Sequence, residues 1–230
     1  MNLEDDFKTE KIHDFKLVPM GKKAPDNHPL FSYAFAMCVL GVKKSGKSSF
    51  VQNLLLSLYH KIFAKVFVIS PACHQFANIL RDKSGCWKEI TPDRMNEIIQ
   101  TAKKLEKIGE SIIMIIDDSM GQSILKDSTF LNTLSTHRNM NLSIVIISQA
   151  IEQIPIRFRE LFDVYILFRI NKADIRLVID QLQASKFSQE QLKKLLTSSE
   201  IFGIGSHNFL SYNKAKEQLL LNLNEEITAL

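Results

Sequence analysis

Gly41-Val42-Lys43-Lys44-Ser45-Gly46-Lys47-Ser48 fits the pattern G-x-x-x-x-G-K-[ST], and its flanks are the ones the pattern needs. An apolar run, Tyr33 to Leu40, leads in, and a helical pattern, Ser48 to Ile62, leads out. A strand, a glycine-containing loop and a helix in that order make a phosphate-binding loop. Glycines let the backbone turn tightly with its N–H groups aimed inward, and the helix N-terminus behind them favours negative charge. The contacting stretch is Gly41, Val42, Lys43, Lys44, Ser45, Gly46, Lys47, Ser48 and Ser49. Lys47 is expected to reach the β- and γ-phosphates of ATP, and Ser48 to ligate Mg²⁺. Val42 at the second loop position excludes the variant loop that carries an additional lysine there.

Downstream, strand-like and helical patterns alternate. Lys65–Ser70, Ser111–Asp117, Leu142–Gln149 and Val164–Arg169 are continuous apolar runs, which suit strands buried on both faces of a mainly parallel sheet. Thr91–Gly109, Ser123–Ser135 and Ile156–Phe162 read as helices, and Asn171–Leu196 as a helical pair broken near Ser185–Ser188. Gly205-Ser206-His207 reads as the turn of a hairpin between Glu200–Ile204 and Asn208–Tyr212. The tail, 214–230, carries Leu219, Leu220, Leu223, Ile227 and Leu230 at helical spacing and is expected to be a C-terminal helix. Residues 1–30 form a charged, proline-containing lead-in with a short strand at Phe15–Val18, ahead of an ATPase domain over 31–213. The whole is one three-layer αβα domain of the P-loop NTPase class.

Composition narrows the function classes. At 230 residues, 45% hydrophobic and 23% charged, the chain has an ordinary globular profile. No apolar stretch approaches a membrane span, and the acidic N-terminus is unlike a signal peptide, so an intracellular protein is expected. Three cysteines without a C-x-x-C read as reduced thiols. The net charge of +4 is mild, and residues 151–230 balance ten Lys/Arg against ten Asp/Glu. DNA contact would therefore fall to a few loops rather than a broad basic face. Two candidates are Arg81-Asp-Lys83-Ser-Gly-Cys-Trp87-Lys88 and Lys126. Histidine spacing supports no metal hydrolase, and G-x-S-x-G is absent.

Two further groups carry chemistry. The strand Ser111–Asp117 runs into a second acid, Asp118. Asp117 is placed to hold the Mg²⁺ water shell opposite Ser48, and Asp118 to polarise an attacking water. Then Arg138 precedes, and Gln149 closes, the apolar strand between them, eleven residues apart. Gln149 can hydrogen-bond the γ-phosphate or the attacking water. Arg138 stands at the far end of a strand that spans about 20 Å, too far to serve its own nucleotide. It is placed to act as an arginine finger on a neighbouring subunit. Arg157 and Arg159 are candidates for a second element of that kind, or for helix capping or pairing with Glu160.

Together, phosphate loop, strand-Asp-Asp and Arg-to-Gln spacing resemble the FtsK–HerA superfamily of DNA-pumping ATPases. The Asp117-Asp118-Ser119 and His137-Arg138-Asn139-Met140-Asn141 wording is similar to that of poxvirus-type genome-packaging ATPases of large DNA viruses, virophages and related elements. The resemblance covers about residues 33–213. It implies a RecA-like sheet with an additional strand between the two Walker strands, and a C-terminal hairpin. It also implies ATP hydrolysis with Mg²⁺ in a homo-oligomeric ring, and translocation of double-stranded DNA into a preformed capsid, with capsid or vertex proteins as partners. The setting it implies is the host cytoplasm, in the virus factory, or the virion. Many relatives have Glu where this chain has Asp118, and the shorter carboxylate must reach farther to act as base. A small-molecule kinase and a nucleotide-gated, non-catalytic assembly protein share the loop; the Asp-Asp strand and the Arg-to-Gln spacing speak against the kinase.

Overall fold

The structure, a computed structural model, describes residues 11–12, 15–19, 34–57, 62–80, 85–118, 128–203, 205–223 and 225–229. Its strands are β1 (Lys11–Ile12), β2 (Phe15–Pro19), β3 (Ala36–Leu40), β4 (Phe63–Ile69), β5 (Gly85–Trp87), β6 (Ser111–Asp117), β7 (Leu142–Ser148), β8 (Val164–Leu167), β9 (Leu210–Asn213), β10 (Gln218–Leu221) and β11 (Glu225–Ala229). The helices are α1 (Lys47–Ser57), α2 (Pro92–Glu106), α3 (Ser128–Thr136), α4 (Ile156–Arg159), α5 (Ile175–Leu182), α6 (Gln189–Thr197) and α7 (Ser199–Phe202).

The eleven strands of the described residues form one sheet in the order β1-β2-β11-β10-β9-β8-β3-β7-β6-β4-β5. From β8 to β5 the pairing is parallel, and from β8 outward to β1 it is antiparallel. The strand that leads into the phosphate loop, β3, is separated from the Asp-bearing β6 by β7, as the resemblance implied.

Continuous apolar runs make this sheet a double-faced core. On β3, Ala36, Cys38 and Leu40 face one cluster with the α2 residues Met95 and Ile98, whereas Met37 and Val39 face the other with Val51 and Leu54 of α1. On β6 the same alternation sends Ile112, Met114 and Ile116 one way and Ile113 and Ile115 the other. Burying both sides of each strand is possible only with a helical layer on each face. Two of the helices carry clear start signals. Thr91 Oγ1 accepts from Arg94 N at 3.4 Å with Pro92 at the first turn of α2, and Ser188 and Gln191 form a reciprocal capping box on α6.

Four expectations require correction. The tail is not a helix: Gln218–Leu221 and Glu225–Ala229 are strands. Leu219 and Leu221 point into one core cluster and Leu220 into the other, so the run that mimics helical spacing is a strand buried on both faces. The hairpin lies later than expected. Ser198 caps the short helix α7 where a first strand was read, and the turn connects β9 to β10 instead. The cysteines are not all reduced. Cys73, in a 3₁₀ turn just after β4, is disulfide-bonded to Cys86 on β5, because parallel pairing of β4 with β5 carries the two to a Cα separation of 5.8 Å. Cys38 stays a buried thiol, and burial pushes its ionisation far upward. The helix expected over Ile156–Phe162 is real but ends at Arg159.

Candidate active site

The C-terminal edge of the parallel strands gathers the predicted residues other than Arg138. Gly41 N donates to Ser148 O at 3.3 Å and Val42 N to Arg169 O at 2.8 Å, so the phosphate loop is pinned between the ends of β7 and β8. Two of its glycines are needed. A Cβ on Gly41 would lie 2.6 Å from Phe168 Cβ, and Gly46 has φ +101°, which side chains avoid. Ser48 and Ser49 sit in the first turn of α1, where backbone N–H groups have no partner within the helix.

Lys47 is buried, and its Nζ donates to Gly41 O at 2.7 Å and Val42 O at 2.9 Å. An ammonium has three donors, so one is left for a phosphate. Burial lowers its pKa and the charges of Asp118 and Asp117 work against that lowering. The hydroxyl of Ser45 is buried in the same loop without a hydrogen-bond partner, a polar group of the kind a bound phosphate satisfies.

Asp117 ends β6 beneath the loop. Ser48 Oγ lies 3.5 Å and 3.4 Å from its two carboxylate oxygens, and Ser70 Oγ donates to Oδ2 at 3.2 Å. Burial, and then the charge of Asp118, push the Asp117 carboxyl up to about 6, while Ser70, Ser48 and Lys47 pull it down. A hard-oxygen set of one hydroxyl and one carboxylate beside a phosphate site fits Mg²⁺, which is ordinarily held by one or two carboxylates and by substrate phosphates. Among the described residues no group of three His, Cys, Asp or Glu offers an all-protein metal cage.

Asp118 turns sharply out of the strand with φ +48°, a conformation Asp tolerates better than most residues. The turn brings its Oδ2 to 3.0 Å from Gln149 Nε2, at the end of the adjacent strand β7. A carboxylate and a carboxamide thus stand together beside the Ser48–Asp117 pair.

Arg138 is elsewhere. It lies in a 3₁₀ turn before β7, at the opposite edge of the sheet, and pairs with Asp163 at the start of β8. Asp163 is itself fixed, its Oδ2 accepting from Ala36 N at 2.8 Å. The Arg138 side chain is 64% exposed, at the rim of a cleft lined also by His137, Glu160 and Lys214. His137 is buried and donates from Nδ1 to Leu142 O at 2.8 Å, and burial lowers its pKa. Its role is to lock the turn that displays Arg138. Arg159 is also buried, donating from Nε to Ile154 O at 2.7 Å, so it braces α4 and is not displayed to a neighbour. Arg157 is exposed. Trp87 stacks on Phe67 and also meets the Arg94 guanidinium, which makes it an edge-strand packing residue. Arg81, Lys83 and Lys126 lie outside the described residues.

Two contributors escaped the sequence reading. Ser70 closes the β4 apolar run, and a polar residue ending a buried strand beside Asp117 was its signal. Asp163 had none, because its importance comes from β8 lying next to β3.

A family model described as "Poxvirus A32 protein" matches residues 23–207, most of the chain. The chain belongs to the poxvirus A32 family. No curated protein is significantly similar in sequence. Among solved structures, the genome packaging NTPase B204 of Sulfolobus turreted icosahedral virus 2, in complex with AMP, is 16% identical with a TM-score of 0.62, covering 83% of this chain and 98% of B204. B204 has also been solved with AMPPCP and with ATP-gamma-S. The pCW3 conjugation coupling protein TcpA, with ATPgS, is 16% identical with a TM-score of 0.58, covering 96% of this chain and 68% of TcpA. At these identities the likeness is one of fold. Among the described residues no helix is long and apolar enough to cross a membrane.

Proposed function

We propose that this chain is an ATP-hydrolysing motor that moves double-stranded DNA into a preformed viral capsid as a homo-oligomeric ring. Membership of the poxvirus A32 family and the fold shared with packaging NTPases support the packaging role. The observation that carries it is the division of the site. The phosphate loop, Asp117, Asp118 and Gln149 gather at one edge of the sheet, while Arg138 is displayed at the other. Lys47 is the buried cation of the chain's own loop, and Arg138, displayed at the opposite edge of the sheet, is placed to complete the site of a second copy.

In each site the loop amides and Lys47 hold the phosphates of ATP, and Asp118 with Gln149 orients a water toward the γ-phosphorus and accepts its proton. Ser48 and Asp117 would hold Mg²⁺, which supplies charge neutralisation at the phosphates. Arg138 of the adjacent subunit stabilises charge on the transferring phosphoryl group. The working location would be the virus factory in the host cytoplasm, or the virion, with capsid or vertex proteins as the docking partner.

The test is phosphate release from ATP against added double-stranded DNA of increasing length. A motor is stimulated by DNA and responds to its length. Nucleotide-dependent assembly without turnover would instead make the chain a non-catalytic, nucleotide-gated assembly protein.

A further inference from the structure

The residues that handle the γ-phosphate all lie to one side of β3. Asp117 and Asp118 come from the end of β6, Ser70 from the end of β4 and Gln149 from the end of β7. A nucleotide is linear from its γ-phosphate to its base. With its terminal phosphate at Asp118 and Gln149, its nucleoside half must leave the loop on the other side of β3, where β8 and β9 end and begin.

That side carries a built wall. The segment before β9 is fixed by its own bonds: Ser206 N donates to Gly203 O at 3.0 Å, Asn208 N to Ser206 Oγ at 3.1 Å, and Phe209 N to Asn222 Oδ1 at 3.0 Å, with Asn222 Nδ2 donating to Asn208 Oδ1 at 3.0 Å. Phe209 packs edge-on against Phe50 of α1 at 4.7 Å and tilted against Phe168 at 5.3 Å, and Phe50 meets Phe168 edge-on at 6.0 Å. Three rings therefore tie the phosphate-loop helix, the end of β8 and this segment into one rigid unit. At its rim stands His207, exposed, with Nδ1 only 3.5 Å from where a Cβ on Gly46 would lie. The core makes no use of this ring, yet the segment carrying it is held firmly against the loop.

We infer that His207 is a nucleotide-binding residue, its imidazole giving the nucleoside half of ATP a planar surface to lie against while the loop holds the phosphates. The inference rests on the ATPase reading for its ligand but concerns a different part of it. Stacking of a base on a planar side chain tolerates exchange of one ring for another, so the chemistry is separable from that of the phosphates.

Calorimetric titration of the full chain with ATP and, separately, with inorganic tripolyphosphate, both with Mg²⁺, tests it. His207→Ala should weaken ATP binding about fivefold or more and leave tripolyphosphate binding unchanged. His207→Phe should keep most of the ATP affinity. Unchanged ATP affinity in His207→Ala, equal weakening toward both ligands, or a His207→Phe as weak as His207→Ala would each overturn the assignment. Because the readout is binding, a wild-type chain that binds ATP without hydrolysing it would sink the motor reading and leave His207 still testable.

Discussion

Gln149 Nε2 donates to Asp118 Oδ2 at 3.0 Å, joining the ends of the adjacent strands β7 and β6 beside the phosphate loop. The carboxamide holds one carboxylate oxygen and leaves the other to accept a proton. Asp is one methylene shorter than Glu, and the left-handed turn at Asp118 together with the Gln149 bond positions the shorter acid. Asp118→Asn should keep nucleotide binding and lower the hydrolysis rate by about 10²–10⁴-fold. Gln149→Ala should lower it less, and the double variant should be hardly worse than Asp118→Asn alone, since the two act as a unit. Steady-state kinetics on the three variants check this; losses that multiply would show that Gln149 acts independently of Asp118.

Asp117 gives the site a pH signature. Its carboxyl titrates at about 6 in the fold and near 3.9 in an unfolded chain, so the folded state holds the proton more firmly. Stability contributed by the protonated form is therefore lost as pH rises from about 4 to about 6, and stays lost above. The difference amounts to at most about 3 kcal/mol. Without metal or nucleotide, Asp117→Asn should melt higher than wild type at pH 8, and the gap should close toward pH 4. Adding Mg²⁺ and ATP at pH 8 should raise the melting point of wild type more than that of the variant. A gap independent of pH, or a variant less stable throughout, would contradict the placement of Asp117.

Arg138 offers a test of the shared site. Its pairing with Asp163 is largely exposed, and exposed ion pairs contribute about 0–1 kcal/mol. Arg138→Ala should thus melt within a few degrees of wild type and bind ATP normally. Its turnover should fall by about 10³ or more, the usual worth of an arginine finger. Mixing it with Lys47→Ala subunits should restore part of the activity, because a Lys47→Ala neighbour still presents its Arg138 to an intact loop. Absence of rescue in samples shown to co-assemble would mean that Arg138 acts within its own chain or only holds Asp163.

The parts of this site that the sequence made legible are those in which a buried apolar run ends on a polar residue. Leu40 before the glycine loop, Ile116 before Asp117 and Ile147 before Ser148 and Gln149 each announce a strand and the group it carries to the edge. The strand interposed between β3 and β6 followed from the motif resemblance. What was not legible depends on which strands become neighbours. Asp163 matters because β8 lies beside β3, and His207 because β9 lies beside β8; neither pairing leaves a trace in local spacing. The tail misled for a related reason. Leu219, Leu220 and Leu221 serve two core faces, and a run buried on both sides loses the period of two that separates strand from helix. Cys73 and Cys86 met only because a three-residue edge strand pairs with β4.

The central claim is that ATP turnover drives movement along double-stranded DNA. Displacement of a third strand from a triplex placed at increasing distance from the free end of a duplex measures it directly. The assembled wild-type protein with ATP and Mg²⁺ should strip the third strand after a lag that grows with distance, while Asp118→Asn and wild type given a non-hydrolysable ATP analogue should not. Displacement by Asp118→Asn, or none by a wild-type sample that hydrolyses ATP in the presence of that DNA, would contradict it.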